Sequence, residues 1–182
     1  MILPAPRLTG TISLEKALHM RRSIRSFTSE AVPLFNVGQL LWAATGHNIH
    51  KRTAPSAGGI YPITHYVIAR NVRDLPQGLY SYSVLAHGLH EEELGEYKVQ
   101  DQVVGPLDII LNGDFGPMQE KYGERGIRYV WMEAGHCAQN ILLQATALGM
   151  GAVVIGAFRD QRIKDILDLP GIPLYIVIAG NI

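Results

Sequence analysis

The sequence has almost no cysteine, no surplus of charge of either sign and no uninterrupted apolar run. Cys137 is its one cysteine, which excludes an internal disulfide and favours a reducing compartment. Sixteen Lys plus Arg balance sixteen Asp plus Glu, so charge gives no reason to expect nucleic acid or an acidic membrane as a partner. The first residues, MILPAPRLTG, lack the basic and apolar regions of a signal peptide. We therefore expect a cytoplasmic protein.

The length and composition allow a sizeable core. With 182 residues, of which 47% are hydrophobic, residues 1–182 are expected to form one domain. Neither an internal repeat nor a linker is visible. Helical and strand patterns are mixed without strict alternation, which favours an α+β fold over a doubly wound sheet.

The most informative stretch is 129–158, which combines a long apolar helix pattern with a strand. Its polar residues Glu133, His136, Asn140 and Gln144 recur at helical spacing and form one stripe. They also make a membrane-spanning helix improbable. Gly149 supplies a left-handed helix stop, and Ala152 to Ile155 is a β-branched strand. We expect a buried central helix in which His136 is a core histidine and Cys137 a buried thiol.

Other elements follow from caps, periodicity and turn residues. Pro4 and Pro6 predict an extended arm with nothing to pack against in its own chain. The segments 91–93 and 119–128 are interpreted as solvated and charged. The remaining predictions are a helix from Ser13 into the basic cluster 21–25, a helix from Pro33 to Gly46, a loop over 47–62, strands at 65–69, 79–82, 108–111 and 174–179, and a short helix over 160–167.

Two clusters carry possible chemistry. In RRSIR, the guanidiniums of Arg21 and Arg25 and the Ser23 hydroxyl could converge on a phosphate, although a solvated basic helix end explains the pattern equally simply. In the loop TAPSAGG, small residues would let backbone amides approach a flat ligand or an anion, unless it is only a connection. His47 and His50 lack further ligands at metal-site spacing, so no metal is expected.

A third, glycine-rich stretch, GMGAVVIG, superficially suggests a dinucleotide-binding motif. Its glycines lie after a helix and before a strand, whereas the Rossmann motif requires the opposite order. The dinucleotide interpretation therefore fails.

In combination and in order, these stretches resemble the FMN-dependent nitroreductase family, and within it the SagB-type branch, which is related to azoline dehydrogenases. The resemblance rests on RRSIRSF, PSAGG, and EAGHCAQN followed by GMGAVVIGAF, and extends through LPAPRLTG, LLWAATG, GLYSY and PLYIVIAG. It implies an α+β fold with a mostly antiparallel sheet and helices around a buried central helix. It also implies a domain-swapped homodimer with FMN in two clefts at the interface.

The resemblance also implies the roles of individual residues. Arg21 and Ser23 would hold the phosphate end of FMN, and Arg25 the pyrimidine edge. The backbone of Ile155 and Gly156 would face the isoalloxazine. The partner subunit would contribute the cleft-lining residues Pro55, Ser56, Ala57 and Gly58.

One departure from the family pattern and one further likeness matter. Many members have a Lys or Arg pair near the C-terminus that completes the phosphate site, but 179–182 has none, so either another residue such as Arg22 or Arg159 supplies the charge or phosphate binding is weaker. Azoline dehydrogenases use a Lys–Tyr pair as base, and Lys121 and Tyr122 resemble it, although this dipeptide is common at helix starts.

The leading hypothesis is an FMN oxidoreductase that passes hydride from NADH or NADPH to a small organic acceptor such as a nitro compound or a quinone. The alternatives are an azoline dehydrogenase acting on modified peptides and a flavin-binding protein without turnover. The sequence names neither the acceptor nor the nicotinamide. Dimerisation is also expected on physical grounds, because so short a chain has few elements to cover an apolar central helix and the N-terminal arm.

Overall fold

The structure is a computed structural model that describes all residues from 1 to 182. Its helices are α1 Leu14–Met20, α2 Leu34–Thr45, α3 Gly116–Tyr122, α4 Arg125–Ala147 and α5 Asp160–Leu167. Its strands are β1 Ile63–Ala69, β2 Gly78–Ser83, β3 Gly88–Leu94, β4 Leu107–Gly113, β5 Gly151–Ile155 and β6 Ile172–Gly180. A short 3₁₀ turn covers Ala57–Gly59. No helix is both long and apolar enough to cross a membrane.

The six strands form one antiparallel sheet in the order β3-β2-β1-β4-β6-β5. The larger core fills the face on which α2 and α4 pack, and the smaller core lies on the opposite face, towards α5. The central strand β4 is buried along its whole length. This arrangement confirms the predicted α+β fold with a central antiparallel sheet.

The transition from α4 to β5 confirms the most informative sequence pattern. Gly149 has a φ of 72°, the left-handed conformation that favours glycine, and the Met150 N–H donates to Ala145 O at 2.9 Å. The chain then enters β5, an edge strand whose inner side pairs with β6. The helix end therefore fixes where the strand begins.

Two elements differ from the sequence prediction. The segment with Glu91, Glu92 and Glu93 is the outer part of β3, an edge strand, because charged side chains suit a strand edge that faces water. The segment 119–128 is not merely a charged approach. It contains the second half of α3, a turn at Gly123 with a φ of 59°, and the start of α4.

The N-terminal arm finds its partners within the chain, contrary to the sequence prediction. Leu3 is buried and its N–H donates to His87 O at 2.9 Å, while the N-terminal ammonium donates to Leu89 O at 2.6 Å. The side chain of His87 lies 2.9 Å from Pro4 O. Proline lacks an N–H, but its carbonyl and its neighbours still bond to a sheet edge. The arm therefore gives no argument for a second subunit.

The central helix is not buried on all sides, which corrects a second expectation. Trp131 and Met132 of α4 are about half exposed, at 48% and 57%. Leu14, Leu18 and Met20 leave an exposed apolar face on α1, where only Ala17 is buried. Large exposed apolar side chains, as on α1 and on α4, are typical of interaction surfaces.

Candidate functional site

The basic segment 21–25 begins at the end of α1 and runs on as extended chain. Arg21 is the C-cap residue of α1, and Ser23 forms a parallel bridge with Ala152 of β5. The Ile24 N–H donates to Ala152 O at 3.0 Å. The segment is therefore docked on the sheet edge. Of its five residues only Arg21 lies at a helix end, so a solvated basic helix end does not explain the others.

The arginines of this segment have no carboxylate partner. The ion pairs of the chain join Arg70, His90, Lys98 and Arg162 to acidic residues, and involve none of Arg21, Arg22 or Arg25. Arg22, Ser23 and Arg25 are exposed, and Arg21 is half-buried. Three uncompensated guanidiniums within five residues provide the donors that an anionic group requires.

The outer edge of β5 remains open beyond the docked segment. Because strand backbone groups alternate in direction, the N–H of Val154 points to the same outer side as Ala152, beyond the reach of Ile24. The strand ends at buried Ile155, and Gly156 is exposed, with Tyr175 beside it. The structure thus brings 21–25, Ile155 and Gly156 onto one strand edge.

The loop PSAGG lies against the Lys–Tyr pair at the end of α3. Gly58 has a φ of 62°, and a Cβ there would approach Lys121 Nζ and Tyr122 Oη to 2.5 Å each. Lys121 Nζ lies 3.5 Å from Gly58 O, and the rings of Tyr122 and Tyr129 pack edge to face. Two groups of predicted site residues, 55–58 and 121–122, therefore meet within one chain.

Within one chain, the loop residues 55–58 lie far from the basic segment 21–25. Ser56 lies near Glu133 in the first half of α4, whereas 21–25 docks on β5 just after the end of that helix. At 1.5 Å per residue, the distance along α4 from Glu133 to Ala147 is about 20 Å. Predicted site residues therefore lie at two separate places on each chain.

Sequence reasoning missed a cluster of polar side chains beneath the loop. His65 of β1 and Glu133 of α4 are 1% and 3% exposed, and each has a polar atom without a partner, His65 Nε2 and Glu133 Oε2. Arg52 lies near both and stacks over the Tyr61 ring, with 4.2 Å from Cζ to the ring centroid. Unpaired buried polar atoms are costly, and each of these two atoms has the capacity for a further hydrogen bond.

Burial sets the protonation of this cluster. It raises the pKa of Glu133 to about 7, against the opposing effects of the Ser56 hydroxyl and the Arg52 charge. Burial and Arg52 lower the pKa of His65 to about 3, so this imidazole is neutral. Burial, aided by Glu133, raises the pKa of Cys137 to about 12, which confirms it as an inert buried thiol. His136 is exposed, so the predicted core histidine is wrong at that position.

Glu133 makes stability depend on pH. Its pKa rises from 4.5 to about 7 on folding, so the stabilisation is complete below pH 4.5 and is lost as pH rises through about 7. Glu133→Gln should therefore match the wild type at about pH 4 and exceed its free energy of unfolding by about 1–2 kcal/mol at about pH 8, after allowance for solvent screening. Urea unfolding at one protein concentration measures this, and an equal difference at both pH values would contradict it.

Comparisons with known proteins identify the family of this chain and the relatives of its fold. The family model described as "Nitroreductase family" matches residues 18–181. The chain belongs to the nitroreductase family. A protein of Methanocaldococcus jannaschii assigned as a nitroreductase is 37% identical over 181 residues, which cover 93% of this chain and 91% of that protein. The crystal structure of a protein from Ralstonia eutropha, also assigned as a nitroreductase, superimposes with a TM-score of 0.89 at 31% identity, covering 100% and 88% of the two chains.

Two more distant relatives carry more specific names. An Archaeoglobus fulgidus protein named as an NADH dehydrogenase/NAD(P)H nitroreductase is 27% identical over 165 residues. The aligned residues cover 90% of the chain described here and 79% of the Archaeoglobus protein. The trifolitoxin operon protein TfxC of Rhizobium leguminosarum is 23% identical and covers 99% of this chain but 58% of its own length. The activities in these names are those of the two relatives.

Proposed function

We propose that this nitroreductase-family chain is a cytoplasmic FMN-dependent oxidoreductase, and that residues 1–182 form its one domain. It would transfer hydride from NADH or NADPH to a small organic acceptor such as a nitro compound or a quinone. One observation carries the proposal: the uncompensated arginines of 21–25 lie on the same open strand edge as Gly156. That edge offers a cationic end for a phosphate and free backbone amides for a flat ring.

The residues on this edge fit FMN. Arg21, Arg22 and Ser23 would bind the phosphate end, and Arg22 takes the place of the missing C-terminal pair better than Arg159 does. Arg159 follows β5 at the far end of the strand, whereas Arg22 lies beside its start. A single phosphate suits this cluster of neighbouring guanidiniums.

The ring end would rest on Ile155 and Gly156. Arg25 would approach the pyrimidine edge, where a guanidinium favours the anionic reduced form, and a backbone N–H would face N5. When bound, FMN would accept and donate the hydride, chemistry that no side chain of this site supplies. The chain's own residues would bind and orient the ring and would place a positive charge beside its anionic reduced form.

We propose that two copies complete each site. The loop residues Pro55, Ser56, Ala57 and Gly58 would come from one subunit, and 21–25 from the other. Two observations support this: the loop and the basic segment lie about 20 Å apart along α4, and α1 and α4 expose the apolar side chains of Met20, Trp131 and Met132. Each subunit would cover the other's exposed helix faces.

A second candidate is an azoline dehydrogenase of the SagB-type branch. Lys121 Nζ and Tyr122 Oη both approach Gly58, in the loop proposed to line the cleft, which is where a base would be needed. The similarity to TfxC is consistent with this branch. In this reaction Lys121 or Tyr122 would remove a proton while the substrate, a modified peptide, reduces the flavin.

A screen of reductants and acceptors against the holo-protein, followed at the flavin absorption band, distinguishes these functions. Bleaching by NADH or NADPH and recovery with a nitro compound or quinone would support the leading proposal. Bleaching by an azoline peptide alone, abolished in Tyr122→Phe or Lys121→Ala, would support the second. A flavin that no donor reduces would indicate a binding protein without turnover.

A further inference from the structure

A cavity of about 280 Å³ lies between the loop that precedes β1 and the β2–β3 hairpin. Its polar lining includes Arg52 and His65, and its apolar lining includes Tyr61, Val84 and Leu85. None of the residues proposed to bind flavin lines it. The cavity is therefore distinct from the open strand edge described above.

Arg52 brings an unneutralised charge to this cavity. Its guanidinium donates from Nη1 to Thr45 Oγ1 at 3.4 Å, and the ion pairs of the chain do not include it. The side chain is half-buried and stacks on the ring of Tyr61. A guanidinium has five N–H donors, so most of those of Arg52 are left without a partner.

The backbone of Tyr61 has a strained, left-handed conformation, and its ring lies against the Arg52 guanidinium. Its φ of 56° is left-handed, which is uncommon for a bulky residue, and its N–H donates to Ser56 Oγ at 2.8 Å. Such strain persists where surrounding structure fixes it, commonly at ligand sites. The fixed ring holds the guanidinium plane in place, which favours a planar, two-pronged ligand.

Arg52 is an arginine, and so a permanent cation, among the ionisable groups that face one another here. The others are His65 of β1, Tyr82 of β2 with His87 at 2.8 Å from its hydroxyl, and Glu133 and Cys137 of α4. The pKa of His65 is about 3 and those of Tyr82 and Cys137 are about 12, so all three are neutral near pH 7. His65 Nε2, which is buried and without a partner, can donate or accept one further hydrogen bond.

We propose that this cavity binds a small organic carboxylate, with the carboxylate on the Arg52 guanidinium and the apolar group against Tyr61, Val84 and Leu85. The planar fork of arginine matches a carboxylate with two parallel hydrogen bonds. The Tyr61 ring and the half-buried Val84 offer contact to a compact aromatic or aliphatic group, which a bare phosphate lacks. This is a second ligand site, and its existence does not depend on the flavin site.

The ionisation of Glu133 should tune this binding. Between about pH 6 and pH 8, Glu133 is the group of the cluster that titrates, because its pKa is about 7. When it ionises, it partly neutralises Arg52, so the carboxylate should bind more tightly at the lower pH. In Glu133→Gln this pH dependence should disappear.

The test is calorimetric titration of the purified protein with benzoate and with its neutral counterpart benzamide. We expect benzoate to bind at least about 10-fold more tightly than benzamide, because this ratio corresponds to the free energy of one charge-assisted hydrogen bond. The Arg52→Ala variant should bind benzoate about 10-fold more weakly than the wild type does. Its flavin content should stay unchanged. Arg73→Ala, the change of an exposed arginine outside the ion pairs, should bind benzoate like the wild type.

Several results would overturn this proposal. They are equal binding of benzoate and benzamide, unchanged benzoate affinity in Arg52→Ala, and tighter binding of inorganic phosphate than of benzoate. If Arg52→Ala does not fold, Arg52→Lys decides the question: it keeps the charge but loses the planar fork, so benzoate affinity must fall. A protein that lacks flavin but still binds benzoate through Arg52 would contradict the oxidoreductase proposal and leave this one intact.

Discussion

Arg21→Ala is expected to weaken FMN binding by about 10- to 150-fold, because a charge-assisted contact to phosphate is worth roughly 1.5–3 kcal/mol. Fluorescence titration of the apo-protein with FMN measures the dissociation constant. The change removes a half-buried side chain at the end of α1, so the free energy of unfolding must be measured as well.

Arg73→Ala provides the matched control. Arg73 is exposed, forms no ion pair and precedes β2, away from the segment docked on β5. It should leave the dissociation constant unchanged. If Arg21→Ala bound FMN as tightly as the wild type, the basic segment would have only the ordinary role of a solvated helix end.

Subunit mixing should restore flavin binding to two defective variants. Arg21→Ala damages the basic segment, and Ala57→Trp places a bulky ring in the loop proposed to come from the partner. Each homodimer should bind FMN poorly. The heterodimer pairs one intact segment with one intact loop, so random exchange should restore about a quarter of the sites in a two-fold symmetric dimer.

The measurement is FMN bound per subunit after exchange, with exchange verified by mass-tagged chains. Each variant mixed with itself is the control and should recover nothing. The thermal midpoint of the wild type should also rise with protein concentration, as expected for an obligate dimer. No recovery despite complete exchange would mean that each site is built within one chain.

The elements that the sequence predicted well are those in which pattern and packing agree. Helix α4 and strand β5 combine a long periodic run, a glycine stop and a β-branched segment, so local and tertiary preferences coincide. Strand β3 was missed because Glu91, Glu92 and Glu93 suit both a solvated loop and an exposed edge strand. The sheet partner β2, which local sequence does not specify, decides between them.

The residues of the predicted site are distributed unevenly over the structure. The family resemblance implied that 21–25 and 155–156 share one cleft, and in the structure 21–25 docks near the start of β5 while 155–156 lies at its end. No sequence pattern indicated that Arg52, His65 and Glu133 converge, because they come from a loop, a strand and a helix. Their grouping depends on long-range folding. A weak local signal existed in Glu133, a carboxylate within an otherwise apolar helix, where burial raises its pKa to about 7.

Identification of the ligand that the purified protein carries tests the central claim most directly. The protein should be yellow, and heat should release a compound with the mass of FMN and not of FAD, at about one per chain, as two interface sites in a dimer require. Apo-protein should take up FMN on reconstitution. Release of no flavin, combined with no uptake of added FMN, would contradict the assignment of the strand edge as a flavin site and with it the proposed oxidoreductase activity.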